Sequence, residues 1–170
     1  GEITSLTNDG TLSAFDSAFH WGRSGLQNFN SGLIGTLVNN GTISSDTYGI
    51  KNSGTITSIE NTGTGIISGA TNAIYNEGAG VIGTITNWGT LTGGVDNGGG
   101  FSGPIIHTLN NAQNGLVYTG TLPISYNIII TASGYGSLDA SSGGGINGTT
   151  TFGISSLSTL RAGTFQDVLQ

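Results

Sequence analysis

The sequence contains two interleaved repeats that advance together along most of the chain. The first repeat has an aliphatic residue, a second one three positions later and an asparagine two positions after that. It occurs as Ile34-Leu37-Asn39, Ile56-Ile59-Asn61, Ile82-Ile85-Asn87 and Ile106-Leu109-Asn111, with steps of 22, 26 and 24 residues. The second repeat has an aliphatic residue two positions before an asparagine. It occurs as Leu26-Asn28, Ile50-Asn52, Ile74-Asn76 and Val95-Asn97, with steps of 24, 24 and 21 residues. Such a period is typical of stacked structural repeats.

A period of this length fits one coil of a β-solenoid, because three short strands at ~3.3 Å per residue and their turns use about 22 residues. Coils stacked at ~4.8 Å place equivalent residues above one another. At about 22–24 residues per coil, residues 1–121 contain roughly five coils. The sequence therefore predicts an all-β protein, a right-handed parallel β-helix, with the handedness following the usual crossover preference. We expect the aliphatic residues of the first repeat to be buried: Ile34, Leu37, Ile56, Ile59, Ile82, Ile85, Ile106 and Leu109.

The three-residue spacing inside the first repeat is also that of one face of a helix. An amphipathic helix would continue the pattern to the seventh position, and its neighbours would not be Gly, Thr and Asn. The chain has 32 glycines in 170 residues, and each costs a helix about 1 kcal/mol relative to Ala. Strands are therefore favoured, and we interpret the additional residue as a bend or bulge within each strand.

The asparagines of the two repeats predict two structural ladders, in which stacked side-chain amides hydrogen-bond along the solenoid axis. The predicted ladder residues are Asn28, Asn52, Asn76 and Asn97 in one column and Asn39, Asn61, Asn87 and Asn111 in the other. Glycine follows two residues after an asparagine at Gly10, Gly41, Gly54, Gly63, Gly78 and Gly89, which predicts corners with positive φ. Weaker matches extend the repeats upstream: Leu12 and Phe15, with Ser17 in place of asparagine, in the first and Leu6-Thr7-Asn8 in the second.

Three stretches depart from the repeat. We expect Asp16–Arg23, with Phe19-His20-Trp21, to form a loop or an N-terminal cover, and Asn97–Pro104 to form a flexible excursion. Residues 122–170 are predicted to form a C-terminal β cap of longer antiparallel strands, because a solenoid end exposes unpaired backbone and apolar surface. Its largest apolar side chains should form its core: Tyr126, Ile128, Ile130, Phe152 and Phe165.

Composition excludes several functions. The net charge is −6 and the cations are Arg23, Lys51 and Arg161, too few for the basic stripe that nucleic-acid binding needs. Without cysteine there is no disulfide and no thiol nucleophile, and no apolar run approaches the ~20 residues of a membrane span. We expect no N-terminal signal peptide in this sequence.

Catalytic and metal-binding patterns are not evident either. The histidines, His20 and His107, do not lie near a Gly-x-Ser-x-Gly nucleophile motif and are expected in a loop and a strand. The nine acidic residues are scattered, and Gly134–Asp139 misses the register of the calcium-binding nonapeptide by one residue. We therefore expect no catalytic residue, no metal and no cofactor. A glycosidase pair stays an alternative, because coils bring distant carboxylates together.

The repeated Asn-x-Gly-Thr-Ile units and the tail resemble the passenger domains of autotransporters, the type V secreted proteins of Gram-negative bacteria. The tail segments that carry the resemblance are Tyr126–Ile130, Tyr135–Leu138, Thr151–Ile154 and Leu160–Leu169. The resemblance implies an extracellular location at the bacterial cell surface and a C-terminal folding nucleus, or autochaperone, in residues 122–170. It also implies that the chain is a passenger fragment, and that the full-length protein carries a membrane barrel absent here.

These observations favour a rigid, non-catalytic stalk or adhesin that contacts a host or matrix surface or associates with itself. A ligand-binding solenoid for ice or polysaccharide is an alternative, since Thr55-Ile56-Thr57 and Thr84-Ile85-Thr86 could belong to a flat Thr-bearing face. These pairs do not recur on every coil, as Ser44 and Thr92 show at the corresponding places. A polysaccharide-cleaving enzyme is a further alternative. Tyr48, Tyr75 and Trp88 are large enough for a sugar- or protein-binding face.

Overall fold

The computed structural model describes residues 1–15, 22–99, 103–140, 145–159 and 163–169. Over these ranges the chain is all-β. Its coils stack as a β-solenoid of about five turns, and the strands of successive coils pair into parallel sheets. In the same ranges no helix is long and apolar enough to cross a membrane. His20, Trp21 and most of the expected loop at Asp16–Arg23 lie outside the described residues.

Three sheets form the sides of the solenoid. Sheet 1 contains β1 (Glu2–Asn8), β4 (Leu33–Asn39), β7 (Thr55–Asn61), β10 (Val81–Asn87), β13 (Ile105–Asn111), β15 (Ser125–Ile128) and β20 (Thr151–Ile154). Sheet 2 contains β2 (Thr11–Ala14), β5 (Thr42–Ser45), β8 (Ile66–Gly69) and β11 (Thr90–Thr92). Sheet 3 contains β3 (Ser24–Asn28), β6 (Tyr48–Asn52), β9 (Asn72–Glu77), β12 (Val95–Gly99), β14 (Leu116–Thr121), β18 (Leu138–Asp139) and β19 (Ile146–Asn147), the last two both pairing with β14. The remaining strands, β16 (Ile130–Thr131) and β17 (Gly134–Tyr135), form an antiparallel pair.

Aliphatic columns fill the space between the three sheets. The eight residues of the first repeat that were predicted to be buried are at most 3% exposed, which confirms that prediction. Sheet 2 contributes Ile43, Ile67 and Leu91, and sheet 3 contributes Ile50, Ile74 and Val95. Each coil therefore buries its apolar residues against the equivalent residues of its neighbours, and removal of this surface from water is the main source of stability.

The additional residue of the first repeat is a bend inside a strand, as expected. In β4 the side chains of Ile34 and Leu37 are both buried, and the two residues between them, Gly35 and Thr36, are partly exposed. Ile34 pairs with Ile56 and Thr36 pairs with Ser58, while Gly35 has no paired partner in the register. The same break occurs between β7 and β10 and between β10 and β13. All coils thus bend at the same place, and the helical interpretation is excluded.

The upstream extension of the repeats was predicted wrongly. Leu12 lies in β2 and pairs with Ile43 of sheet 2, so it is not a copy of Ile34, and Phe15 is 65% exposed. The first copy of the first repeat is instead Ile3-Leu6-Asn8, which pairs in register with Ile34, Leu37 and Asn39. The first coil is longer than the others, and its step of 31 residues from Ile3 to Ile34 conceals this copy.

The tail mostly continues the solenoid, so the expectation of antiparallel strands there holds for the short pair β16–β17 and is wrong for β15, β18, β19 and β20. β15 and β20 add to sheet 1 in parallel, and β18 and β19 pair in parallel with β14. The reason is the alternation in β15, where inward-facing Tyr126 and Ile128 stay in register with Leu109 and Asn111. Only part of the expected excursion at Asn97–Pro104 is described, and Asn97–Gly99 belong to β12.

Three of the five residues predicted as the core of the tail are buried: Tyr126, Ile128 and Ile130. The prediction is wrong for Phe152, which is 50% exposed. Phe152 packs against the Tyr126 ring, with centroids 5.8 Å apart, but β20 is the last strand in the order of sheet 1, so the other side of the ring is uncovered. Phe165 is partly buried and packs edge-on against Tyr135.

Candidate binding faces and asparagine ladders

Five buried asparagines form a hydrogen-bonded column where the strands of sheet 1 end. The Nδ2 of each donates to the Oδ1 of the asparagine in the following coil, at 2.8 Å from Asn8 to Asn39, 2.9 Å from Asn39 to Asn61, 2.9 Å from Asn61 to Asn87 and 3.1 Å from Asn87 to Asn111. Each is the last residue of its strand. Asn8 thus belongs to this column and not to the column of Asn28, where the sequence pattern placed it.

A second column lies at the ends of the sheet 3 strands. Asn28 donates to Asn52, Asn52 to Asn76 and Asn76 to Asn97, each at 2.8 Å. All of these bonds, like those of the first column, point in the same direction along the chain. The predicted ladder asparagines are therefore brought together in two parallel rows, and seven of the eight are completely buried, the exception being Asn28 at 5% exposure.

The second amide hydrogen of each ladder asparagine is also used. Asn39 Nδ2 donates to the carbonyls of Gly41 and Ile66, both at 3.1 Å, and Asn61 Nδ2 donates to the carbonyl of Gly65 at 3.1 Å. A satisfied hydrogen bond adds a net ~0.5–1.5 kcal/mol, whereas an unsatisfied buried group costs ~1–3 kcal/mol. The ladders therefore tie the corners of successive coils together without leaving a polar group unpaired.

Both ladders end at a buried tyrosine. Asn111 Nδ2 lies 3.5 Å from the Tyr126 hydroxyl oxygen, and Asn97 hydrogen-bonds to Tyr118, whose hydroxyl donates to the Thr121 carbonyl at 2.7 Å. Burial raises the pKa of Tyr126 to about 12, and burial also raises the pKa of Tyr118. At the next position of the first ladder, Asn111 pairs with Ile128, which cannot continue the amide row.

Three of the six glycines after ladder asparagines, Gly41, Gly54 and Gly89, are needed for close backbone packing and not for positive φ. Of the six, Gly78 has a positive φ (61°) and the other five do not, so that prediction is wrong for Gly10, Gly41, Gly54, Gly63 and Gly89. A Cβ on Gly89 would overlap the carbonyl oxygens of Gly65 and Thr62 in the preceding coil. The stacking of corners at backbone contact distance thus requires a residue without a side chain.

The outer face of sheet 1 carries an unbroken column of hydroxyl groups. Register pairs align one hydroxyl residue from each of the seven strands: Ser5, Thr36, Ser58, Thr84, Thr108, Ser125 and Thr151. None of these side chains is buried. Ser58 donates to Thr36 at 3.3 Å, and in the adjacent column Asn127 donates to Asn110 at 3.1 Å. This column is a regular array of donors and acceptors.

The Thr-x-Thr pairs noted in the sequence do not stack on each other. Thr84 aligns with Ser58 and Thr86 with Glu60, whereas Thr55 aligns with Val81. Ser44 and Thr92 lie on sheet 2, where two outward columns form a separate hydroxyl face. These columns are Thr11, Thr42, Ile66, Thr90 and Ser13, Ser44, Ser68, Thr92.

Sheet 3 carries a cluster of aromatic and charged side chains on its outer face. The rings of Tyr48 and Tyr75 stack with centroids 4.5 Å apart and an interplanar angle of 16°. Lys51 Nζ lies 5.7 and 5.8 Å from the two ring centroids and 3.0 Å from Glu77 Oε1. Burial, followed by the nearby Glu77 carboxylate, raises the pKa of Tyr75. The cluster combines an aromatic stack, a cation–π contact and an ion pair.

A cavity of about 560 Å³ adjoins this cluster, with Tyr75, Asp96, Thr119 and Asn147 among its lining residues. Burial raises the pKa of the Asp96 carboxyl, and this is opposed by hydrogen bonds to that carboxylate from Thr119 and the Gly98 backbone. Sequence reasoning singled out Tyr48 and Tyr75 but missed Asp96 and the cavity. The cavity depends on residues from different coils, and only the strand register brings them together.

The remaining candidate residues stand apart from one another. His107 is exposed on β13, and Trp88 is partly buried at a corner. Among the residues that the structure describes, no three His, Cys, Asp or Glu side chains group as metal ligands. Comparison with protein-family models, curated proteins and solved structures finds no match to this chain.

Proposed function

We propose that the chain is a rigid segment of a bacterial surface protein of the autotransporter passenger type, and that it acts by contact through the outer face of sheet 1 and not by catalysis. The observation that carries this proposal is the column of seven aligned hydroxyl residues on that face. The Asn-x-Gly-Thr-Ile units and the tail segments support the family assignment by resemblance alone.

The chemistry of this face suits contact with another ordered polar surface. Hydroxyl and amide groups donate and accept hydrogen bonds, and the charged residues are too few for strong repulsion between copies, since they make up 7% of the chain. Because the two amide ladders hold successive coils in fixed register, the face loses little conformational entropy on binding. The partner is a host or matrix surface, or a second copy of the chain.

A single contact of this kind is weak, so adhesion depends on many copies. Multiple linked contacts raise the overall avidity by ~10²–10⁴ without any new interaction. A cell that displays the chain at high density would therefore attach or aggregate although one isolated molecule binds poorly.

The test is display of the chain on a bacterial surface, scored for clumping and for attachment to host cells and matrix-coated wells. A variant with Thr84→Lys and Thr108→Lys places two charges in the sheet 1 column and should reduce both readouts. A control with Thr11→Lys and Thr90→Lys places the same charges on sheet 2 and should behave as the unmodified chain. Cells that neither clump nor attach, together with cleavage of a polysaccharide by the purified protein, would favour an enzyme instead.

A second candidate function is ice binding through sheet 2. Its outer columns place hydroxyl residues at both outward positions on three of four strands, as in Thr42 with Ser44 and Thr90 with Thr92. Thermal hysteresis of the purified chain tests this candidate. Loss of hysteresis in Thr42→Lys, with retention in Thr84→Lys on sheet 1, would assign the activity to sheet 2, and the absence of hysteresis would reject it.

A further inference from the structure

The cavity on sheet 3 is separate from the sheet 1 face and was not used in the proposed function. Its volume is about 560 Å³, within the ~300–1,000 Å³ range of small-molecule sites. Tyr75, Asp96 and Thr119 occupy the same register position on three successive strands, and Asn147 is paired with Thr121 on the neighbouring strand. The site therefore combines an aromatic ring with carboxylate, hydroxyl and amide groups.

The Tyr75 ring is held in place from one side. It stacks on Tyr48 of β6 at 4.5 Å, while the cavity is lined by residues of β12 and β14, which lie on the opposite side of β9. Lys51 and Glu77 form an ion pair beside the two rings. This support fixes the orientation of Tyr75, so its side toward β12 is a pre-organised apolar surface.

Asp96 supplies the charge among the described residues that line the cavity. Its carboxylate accepts hydrogen bonds from Thr119 and from the Gly98 backbone amide. A carboxylate has about four lone-pair positions, so acceptor capacity is left for a ligand. Lys51 is already paired with Glu77 at 3.0 Å and does not neutralise Asp96 by an ion pair.

We infer that this cavity binds a neutral saccharide. A pyranose ring has one face of C–H groups, which packs on the electron-rich face of an aromatic ring, and an edge of hydroxyl groups that donate and accept hydrogen bonds. Tyr75 fits the C–H face, Asp96 accepts hydrogen bonds from sugar hydroxyls, and Thr119 and Asn147 can both donate and accept. Asp96 would also attract a cationic ligand, so the experiment includes one.

The experiment is an NMR titration of the ¹⁵N-labelled 170-residue chain with maltohexaose, cellohexaose and fully N-acetylated chitohexaose in turn. We expect saturable shifts at the amides of Asp96, Gly98, Thr119 and Gly120 with at least one of them. Binding of a neutral saccharide should change little between low and high salt, because it involves no ion pair. Absence of saturable shifts with all three, or salt-sensitive binding of tetramethylammonium alone, would overturn the inference.

Substitutions of Tyr75 and Asp96 test how each residue contributes to saccharide binding. Tyr75→Ala should weaken binding about tenfold or more and Tyr75→Phe should bind within about twofold of the unmodified chain, because the ring and not its hydroxyl makes the contact. Asp96→Asn keeps the shape and should weaken binding about tenfold, since it removes charge-assisted hydrogen bonds. Asn40→Ala, which removes an exposed bond to Asp9, is the control and should bind normally. Unchanged binding in both Tyr75→Ala and Asp96→Asn would contradict the site. Adhesion through sheet 1 can fail in its own assay without affecting this result.

Discussion

Asn61 donates from Nδ2 to Asn87 Oδ1 at 2.9 Å, although 26 residues separate the two along the chain. Asn61 also accepts the amide of Asn39 and donates to the carbonyls of Gly65 and Thr90. One completely buried side chain thus links three coils. The stability of the solenoid should depend on such residues more than on the polar groups of its outer faces.

Replacement of Asn61 by alanine should lower the free energy of unfolding by about 2–4 kcal/mol, because it leaves the amide of Asn39 and the carboxamide oxygen of Asn87 without their ladder partners in the interior. Urea unfolding followed by circular dichroism measures the effect. Asn40→Ala is the control: Asn40 is adjacent to a ladder asparagine but makes an exposed bond to Asp9, so its loss should cost less than ~0.5 kcal/mol. Equal effects of the two substitutions would contradict the structural importance of the ladder.

Two glycines at equivalent corners should respond in opposite ways to alanine. A Cβ on Gly89 would overlap backbone carbonyls of the preceding coil, whereas a Cβ on Gly63 meets no atom within 4 Å. Gly89→Ala should therefore destabilise the protein by at least ~2 kcal/mol, and Gly63→Ala should be neutral or stabilise it by up to ~1 kcal/mol through the unfolded state. Thermal melts of the two variants provide the comparison. A stable Gly89→Ala protein would show that the corners are not packed at backbone contact.

The buried tyrosine at the end of the first ladder predicts a loss of stability at high pH. Burial raises the pKa of Tyr126 to about 12, above the unfolded value of about 10. The unfolded chain therefore releases this proton first as the pH rises, and the contribution, about 3 kcal/mol at most, is complete below pH ~10 and lost between pH ~10 and ~12.

The measurement for Tyr126 is the urea midpoint at pH 9 and at pH 11. Tyr126→Phe removes the titrating hydroxyl but keeps the ring, so its midpoint should fall less over this interval than that of the unmodified chain. Tyr118 titrates in both proteins and cancels in the comparison. Identical falls in both proteins would show that Tyr126 does not contribute to the pH dependence.

Removal of residues 122–170 should make the remaining coils prone to aggregation. Without β15, β18 and β19, the edges of β13 and β14 lose their hydrogen-bonding partners, and Leu109, Leu116 and Tyr118 lose part of their cover. Exposed parallel strand edges pair readily with other chains. Light scattering and refolding from urea compare the truncated and intact chains, and a truncated chain that refolds as fast and stays as soluble would disprove a nucleating role for the tail.

Much of the fold follows from the repeat because a parallel solenoid places residues of equal phase in the same column. Ile34, Ile56 and Ile82 share a period, and this alone predicts that they stack and are buried. The copy at Ile3 was missed because the first coil has additional residues between β2 and β3. Periodicity detects equal spacing and does not detect a coil of unusual length.

The role of the corner glycines, the strand pairing in the tail and the cavity could not be predicted from the sequence, because they depend on distances between backbones. The Asn-x-Gly corners resemble turns that need positive φ, but at Gly41 and Gly89 the constraint comes from the neighbouring coil. In the tail, strand length and aromatic content suggested antiparallel pairing, while the phase of Tyr126 and Ile128 continues sheet 1. The cavity beside Tyr75 likewise requires knowledge of which residue of β12 lies next to which residue of β9.

The ladder distances hardly change although the coils differ in length. Asn8 and Asn39 are 31 residues apart and Asn39 and Asn61 are 22 residues apart, yet the two amide bonds measure 2.8 and 2.9 Å. Differences in length are therefore absorbed between the strands and not within the ladder. A peptide grafted at an open corner such as Gly63, which has no atom near its Cβ position, would be carried on the surface without disturbing the stack. This makes the solenoid a scaffold whose loops can diversify independently of its interior.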